Sequence, residues 1–238
     1  MAEKARVLVV TAHPDDMEIL CGGTVARYSG RGDEVTVCHA CTGHLGHTVI
    51  EPEKLVPMRW NEAEQASSIA GARHLSLGLP DLGVVESEEV MTHLAGIMRD
   101  VRPTVIITHD PNDYMPDHAG LAHLVLKASF IATLPQYKGI PGELYPVVPP
   151  VYFMDTLMGV GFVPEEYVDI TDAFDVKRAM LECHRSQVDW LRDHDHIDVV
   201  ENMRICARYR GLQCGVKYAE GFRRHRVWPR ITPARLLP

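Results

Sequence analysis

The sequence predicts an α/β fold in which one domain, residues 1–238, is built around a mainly parallel sheet with flanking helices. Short apolar runs of four to six residues alternate with longer amphipathic segments, the pattern of repeated strand–helix–strand units. Hydrophobic residues make up 46% of the 238, which is enough for one sizeable core. No internal repeat, low-complexity tract or Ser/Gly-rich linker divides the chain.

The elements follow from these runs in order. Strands are predicted at residues 6–11, 34–41, 74–77 and 104–108. Helices are predicted at residues 21–31, 57–71, 87–101 and 118–132. Residues 135–150 (PQYKGIPGELYPVVPP) are too rich in Pro and Gly for regular structure. A strand at VYFMD (151–155) follows, then a long helix at 172–193 and another ending near residue 210.

A parallel sheet of this Rossmann-like type binds its ligands outside the carboxyl ends of its strands. The residues that directly follow each predicted strand are therefore the candidates for a functional site. A further loop, LMGVGFVP at residues 157–164, is apolar and is expected to line either the mouth of such a site or an interface between subunits.

Charge and hydropathy exclude several classes of function. The formal net charge of −8 and a sequence pI near 5.9 argue against nucleic acid as a partner, because a phosphate-binding surface needs a basic face. No segment approaches the roughly 18 apolar residues that a membrane helix needs, and the N-terminal apolar run is too short for a signal sequence. We therefore expect a cytoplasmic protein with no nucleic-acid or membrane partner.

Two clusters of histidine and acidic residues follow apolar runs. The first is His13, Asp15 and Asp16 after RVLVV, and the second is HDPNDYMPDH, residues 109–118, after TVIIT. Both fall at carboxyl ends of predicted strands and can converge at one edge of the sheet. Imidazole nitrogen and carboxylate oxygen hold divalent metals, and a catalytic zinc takes three protein ligands with a position open for water. The two clusters together supply such a set.

The adjacent aspartates suggest a division of roles. Successive side chains on an extended loop point in different directions, so one carboxylate can ligate an ion while the other accepts a proton from water at the open position. The alternative is that Asp16 or Glu18 only caps the helix that follows. Two such clusters at equivalent places in one sheet favour the metal site.

The motifs resemble those of a known family. AHPDDME at residues 12–18, with PDH at 116–118, is similar to the PIG-L/LmbE-type zinc-dependent de-N-acetylases. Arg59 and Glu62 resemble an Arg-x-x-Glu element of that family. HRSQ at 184–187 and YAEGF at 218–222 resemble its later motifs, so the resemblance spans most of the chain.

The resemblance implies a role for each matching position. His13, Asp16 and His118 are implied to hold one Zn²⁺ per chain, and Asp15 is implied to be the general base. Arg59 is expected to bind the substrate, with an ion pair to Glu62 as the alternative. We expect Asp117 to orient a neighbouring ligand from behind, as carboxylates commonly do at metal sites.

The chain departs from the family at Met115. The family's second motif usually reads His-Pro-Asp-His, and its first histidine is thought to stabilise the oxyanion or relay protons. A thioether carries no proton and is a weak acceptor. Three explanations stay open: a substitute donor such as Tyr114, His44, His47 or His109; an oxyanion stabilised by the metal alone; or a different reaction.

The sequence as a whole predicts a zinc-dependent hydrolase that removes an acetyl or other acyl group from an N-acyl amino sugar or a related small molecule. His44 and Tyr114 are expected to contact that substrate. One alternative is a metal-dependent hydratase or lyase of a small unsaturated carboxylic acid, since the family includes a hydratase. Another is a catalytically weak protein that binds metal or sugar. We also expect a homo-oligomer.

Overall fold

The computed structural model describes residues 4–230, so the first three and last eight residues of the predicted domain lie outside the described part. The strands are β1 (Arg6–Thr11), β2 (Glu34–Cys41), β3 (Arg73–Leu79), β4 (Val105–Thr108), β5 (Val151–Met154), β6 (Glu166–Asp169) and β7 (Ala219–Arg224). The helices are α1 (Asp16–Gly30), α2 (Pro52–Ile69), α3 (Glu88–Val101), α4 (Pro116–Ile131), α5 (Phe174–Leu181), α6 (Arg185–His194) and α7 (Val199–Cys214). Short 3₁₀ turns lie at Leu157–Gly159 and Thr171–Ala173.

The described strands form one seven-stranded sheet in the order β3-β2-β1-β4-β5-β7-β6. The first five strands of that order are parallel, and β7 runs antiparallel to both of its neighbours. This confirms the predicted α/β class and mainly parallel sheet. Strand β1 lies between β2 and β4, with Val10 opposite Cys38 on one side and Thr108 on the other. The loops after β1 and β4 therefore leave the sheet side by side.

The core has a layer on each face of the sheet. Alternate residues of β1 point to opposite faces, so Leu8 and Val10 pack with α3 and α4 while Val7 and Val9 pack with α1. A third apolar cluster lies among α5, α6 and α7. None of the helices in the part of the chain that the structure describes is long and apolar enough to cross a membrane.

Helix α1 contains a break that fixes its position. Cys21 has φ −143° and ψ 15°, which is not helical, so the second half of α1 has free N–H groups at its start. The Glu220 carboxylate accepts hydrogen bonds from the N–H of Gly23 at 2.8 Å and of Thr24 at 2.7 Å. Lys177 forms a buried ion pair with Glu220 and donates to the carbonyl oxygen of Ile19 at 2.9 Å. Strand β7 thus holds the kink of α1.

The structure differs from the sequence prediction in several bounds. Helix α1 begins at Asp16 and not at residue 21, and α2 begins at Pro52 and not at residue 57. The long helix predicted at 172–193 is two helices, because the chain turns between α5 and α6 and the Ser186 N–H there donates to Glu62 at 2.8 Å. Strands β6 and β7 were not predicted, since neither has an apolar run.

Candidate metal centre and active site

Two segments bring the predicted ligands together. The loop after β1 carries His13 into the start of α1, where Asp16 is the first residue, and α4 begins beside it with His118 in its first turn. Asp16 Oδ2 lies 3.4 Å from His13 Nδ1 and 3.3 Å from His118 Nε2. The three side chains each offer one ligand atom, and these atoms lie within 4.8 Å of one another.

The donor set fits a divalent cation. His118 Nε2 is buried and has no hydrogen-bond partner in the part of the chain that is described, although it faces the Asp16 carboxylate. A buried polar atom without a partner is costly, and a cation between these groups would satisfy it. Burial opposes the charge, but the Asp16 and Asp113 carboxylates raise the pKa of His118 to about 10. The site therefore favours positive charge at this point.

A second carboxylate holds each histidine from behind. Asp117 Oδ2 lies 3.2 Å from His13 Nε2 and also accepts the Leu82 N–H at 2.7 Å. Asp113 Oδ2 lies 3.0 Å from His118 Nδ1. Each ring therefore turns one nitrogen to Asp16 and the other to a carboxylate, the arrangement that fixes tautomer and orientation in histidine metal sites.

The two adjacent aspartates face different partners. Asp15 has φ 114°, an unusual conformation for a residue with a side chain and one that costs about 1–3 kcal/mol. This turn directs Asp16 to the histidines and leaves Asp15 facing Arg59, whose Nη2 lies 3.1 Å from Asp15 Oδ2. Burial raises the pKa of Asp15 to about 6, and the Arg59 guanidinium opposes the shift.

Arg59 is buried under the loop that follows β2. Its guanidinium donates to the carbonyl oxygens of Gly43, at 3.1 Å, and Pro14 as well as to Asp15. A Cβ added at Gly43 or Gly46 would lie 2.5 Å from Nη1 of Arg59, so glycine at both positions leaves room for the guanidinium where it lies. The predicted contact of Arg59 with substrate stays a prediction.

Glu62 bonds elsewhere, so the ion pair considered between Arg59 and Glu62 is not formed. Its carboxylate accepts the Ser186 N–H at 2.8 Å and the Ser186 hydroxyl at 2.6 Å. Gln187 Nε2 donates to the Gly46 carbonyl oxygen at 3.0 Å. The Arg-x-x-Glu and His-x-Ser-Gln elements therefore meet and support the loop that covers Arg59.

A cavity of about 500 Å³ opens beside His13, Asp15 and Asp16. Of the other predicted site residues, Arg59 and Asp117 line it, as does Met115. His118 does not line it and is fully buried.

The remaining candidates for a substitute donor are placed differently. Among the described residues, Leu45 and Gly46 line the cavity but His44 does not; its Nδ1 accepts the Asp81 N–H at 3.2 Å. Tyr114 is 55% exposed and does not line the cavity. His109 is buried and stacks on His118 at 3.8 Å between ring centroids, and its Nε2 accepts the Ala12 N–H at 2.9 Å. Burial lowers the pKa of His109 to about 4, so its ring stays neutral.

Two features of the site were not predicted from the sequence. One is Asp113, for which the only signal is a further acidic residue in HDPNDYMPDH. The other is a buried pair behind the site, in which His184 Nε2 lies 3.2 Å from Glu18 Oε1 and both side chains are fully buried. Glu18 and His184 belong to two of the recognised motifs, but nothing in their spacing indicates that they meet.

The fold and the His/Asp centre define an α/β protein with a candidate divalent-metal site at the carboxyl ends of its parallel strands. A family model described as PIG-L, GlcNAc-PI de-N-acetylase, matches residues 8–129, just over half of the chain. The chain belongs to the PIG-L family.

Relatives within this comparison carry two different activities. Diacetylchitobiose deacetylase of Thermococcus kodakarensis is 28% identical over 229 residues, covering 92% of this chain and 82% of the relative. The structure of N,N'-diacetylchitobiose deacetylase from Pyrococcus horikoshii superposes with a TM-score of 0.80 at 28% identity, over 92% of this chain and 82% of that one. The structure of 4-carboxy-2-hydroxymuconate hydratase from Pseudomonas putida superposes with a TM-score of 0.83 at 27% identity, over 98% of this chain and 99% of that one.

Proposed function

We propose that this protein is a metal-dependent N-deacetylase that hydrolyses the amide of an N-acyl amino sugar or a related small molecule. The observation that carries the proposal is the pair of neighbouring carboxylates. Asp16 faces two histidine nitrogens, while Asp15 faces the cavity beside them. The deacetylase relatives support acetylated amino sugars as the substrate class.

His13, Asp16 and His118 would hold the metal, and Zn²⁺ suits a set of two imidazoles and one carboxylate. When bound, such an ion supplies a Lewis acid and lowers the pKa of water at its open position to about 7. Asp117 and Asp113 keep the two imidazoles turned so that Nδ1 of His13 and Nε2 of His118 face Asp16.

Asp15 is the group that moves the proton. A general base works best with a pKa near the working pH, and a pKa of about 6 leaves Asp15 mostly ionised at neutral pH. It accepts a proton from the water that attacks the amide carbonyl carbon, and then gives that proton to the departing nitrogen. Arg59 holds the carboxylate in place and favours its charged form.

A second candidate function is hydration of a small unsaturated carboxylic acid. Met115 lines the cavity at the position of the family histidine, so no proton donor stands there to stabilise an oxyanion. Loss of one such donor costs roughly 10²–10³ in rate for amide hydrolysis. The hydratase from Pseudomonas putida aligns over nearly the whole of both chains, which supports this alternative.

The test is release of free amine from a panel of N-acetylated amino sugars by zinc-loaded protein. Asp15→Asn is the matched control, because it keeps the shape of the side chain and all three metal residues. Amine from the wild type, lost in Asp15→Asn and after chelation, is the expected result. No amine from protein that holds stoichiometric zinc would contradict the proposal.

The same protein is then assayed for loss of the double-bond absorbance of unsaturated dicarboxylic acids. Hydration in that assay, without amine release, would establish the second candidate. Sugar binding with neither reaction would identify a catalytically weak binding protein.

A further inference from the structure

The cavity continues past the metal residues into an apolar crevice. Ile19 and Leu20 follow Asp16 by three and four positions on α1, so they lie one helical turn from the metal centre and line the same cavity. Helix α7 lines the same cavity with one face, residues 199, 202, 203, 206, 207 and 210, at the 3.6-residue period, and Ile19 packs against the apolar cluster to which Val199, Met203 and Ala207 belong. We call the part of the cavity that is lined by Ile19, Leu20 and that face of α7 the α7 crevice.

The wall of the α7 crevice is mostly hydrocarbon. On α7 it is formed by Val199, Met203, Cys206 and Ala207, with Asn202 as the uncharged polar residue among them. Leu157 and Met158, from the apolar loop at residues 157–164, also line the cavity, and Met158 is 51% exposed.

The charged groups that line the cavity near the crevice are already neutralised. Arg210 donates to the two carboxylate oxygens of Asp155, at 2.6 Å and 3.1 Å. Lys177 pairs with Glu220, whose carboxylate also accepts two backbone N–H groups. A charged or heavily hydroxylated group in the crevice would lose its water without gaining partners, which is costly. An apolar group gains by the same transfer.

We infer that the substrate carries an apolar alkyl or aryl substituent within a few bonds of the scissile amide, and that this substituent binds in the α7 crevice. The inference rests on the proposed function for the position of the amide. The short distance along α1 from Asp16 to Ile19 limits how far from the amide the substituent is attached. It belongs either to the acyl group or to the amine side of the substrate, and the two sources share the same chemistry.

The size of the effect follows from the burial of methylene groups. Each buried methylene contributes about 0.8 kcal/mol, which is about fourfold in binding. An N-hexanoyl group has four more methylenes than an N-acetyl group. Burial of only half of them predicts an increase of roughly 15-fold in kcat/KM.

The experiment measures kcat/KM for glucosamine release from N-acetyl-, N-butyryl- and N-hexanoylglucosamine. A second arm compares the methyl and octyl glycosides of N-acetylglucosamine. A rise along the first series assigns the crevice to the acyl group, and a rise in the second assigns it to the amine side. Both support the inference, and no rise in either series overturns it.

Cys206→Phe fills the crevice from α7, and Ile205→Phe places the same ring on the solvent side of the same helix, where Ile205 is 52% exposed. The ratio of kcat/KM between the long-chain and the short-chain substrate should fall to about one in Cys206→Phe and keep its wild-type value in Ile205→Phe. Equal preferences in the two variants would overturn the placement in the crevice. If Cys206→Phe does not fold, the substrate series of the wild type decides alone.

Binding separates this inference from the proposed function. Dissociation constants of acetate and hexanoate are measured by calorimetry on zinc-loaded protein, which needs no turnover. Hexanoate is expected to bind roughly 15-fold more tightly if the crevice takes the acyl group. Amine release from N-acetylglucosamine with flat substrate series would overturn the crevice and leave the deacetylase standing. Tighter hexanoate binding without any amine release would support the crevice and overturn the deacetylase.

Discussion

The Asp113 carboxylate lies 3.0 Å from Nδ1 of His118 and decides which nitrogen of that ring faces Asp16. Asp113 is itself held, since its other oxygen accepts the Met115 N–H at 2.9 Å. The turn before α4 thus sets the ring before any ion binds. A carboxylate in this position raises the basicity of a metal-bound imidazole.

Asp113→Asn should therefore weaken zinc binding by about 10- to 100-fold. The amide can still bond to His118 but brings no negative charge. The affinity is measured by competition with a chromogenic chelator. Asp100→Asn, at an exposed position paired with Arg73, is the control and should bind zinc as the wild type does. Equal affinities in the two variants would count against a role for Asp113 in the metal site.

Arg59→Met should move the acid limb of the kcat/KM profile to higher pH. Loss of the guanidinium removes the charge that opposes the raised pKa of Asp15, so that carboxylate stays protonated to higher pH and is inactive there. A shift of about one unit is expected, with roughly fivefold less activity at pH 6. If KM rises and the midpoint does not move, Arg59 acts on the substrate instead, as the family resemblance implies. Arg73→Met is the surface control.

Gly23→Ala should destabilise the fold by about 1–3 kcal/mol. The added Cβ would lie 2.7 Å from the Ile170 side chain, within the buried contact between α1 and the turn before α5. Gly30→Ala is the matched control on the same helix, where no atom lies within 4 Å of the added Cβ. It should be neutral or stabilise by up to about 1 kcal/mol. Urea denaturation of both variants gives the comparison, and equal free energies of unfolding would refute the close contact.

His39 should make the protein less stable as the pH falls. Burial lowers the pKa of His39 to about 3, below the value of 6.5 expected when unfolded. Between these pH values His39 is protonated in the unfolded chain but stays neutral in the folded one. The free energy of unfolding therefore loses up to about 1.4 kcal/mol per pH unit from this residue as pH falls from 6.5 towards 3.

In His39→Asn that component of the slope should vanish. The free energy of unfolding is measured by urea denaturation at several pH values between 6.5 and 4. His123→Asn is the control, because the ring of His123 is exposed in the folded protein as well. A slope in His39→Asn as steep as that of the wild type would show that His39 does not titrate in this way.

The strands that could be predicted from the sequence are those in which the local residue pattern is sufficient to indicate a strand. β1 and β2 were predicted at their observed bounds, because each is rich in valine and is almost wholly buried between two neighbouring strands. The turn between α5 and α6 depends on Glu62, which lies 124 residues before Ser186 in the chain. No local pattern encodes such a contact, so a continuous helix was predicted there.

The residues of the candidate site also fall into a group that could be predicted from the sequence and a group that could not. The two motifs and their family resemblance brought out His13, Asp15, Asp16 and His118. In the structure the first three line the cavity, and His118 is buried beside Asp16. The support behind them, such as Asp113 and the pair of Glu18 and His184, depends on packing between distant segments. Nor does the sequence show that Arg59 is covered by its own loop. The first group is encoded by local chemistry and the second by tertiary contacts.

Because Glu220 lies far along the chain from α1, it can cap that helix only late in synthesis. The N–H groups that it accepts belong to residues made 197 and 196 positions earlier. At about 5–20 residues per second, a ribosome needs roughly 10–40 seconds to supply that carboxylate after Gly23 has been made. Until then the N–H groups at the start of the second half of α1 lack the carboxylate of Glu220. A product that stops before β7 never receives this cap.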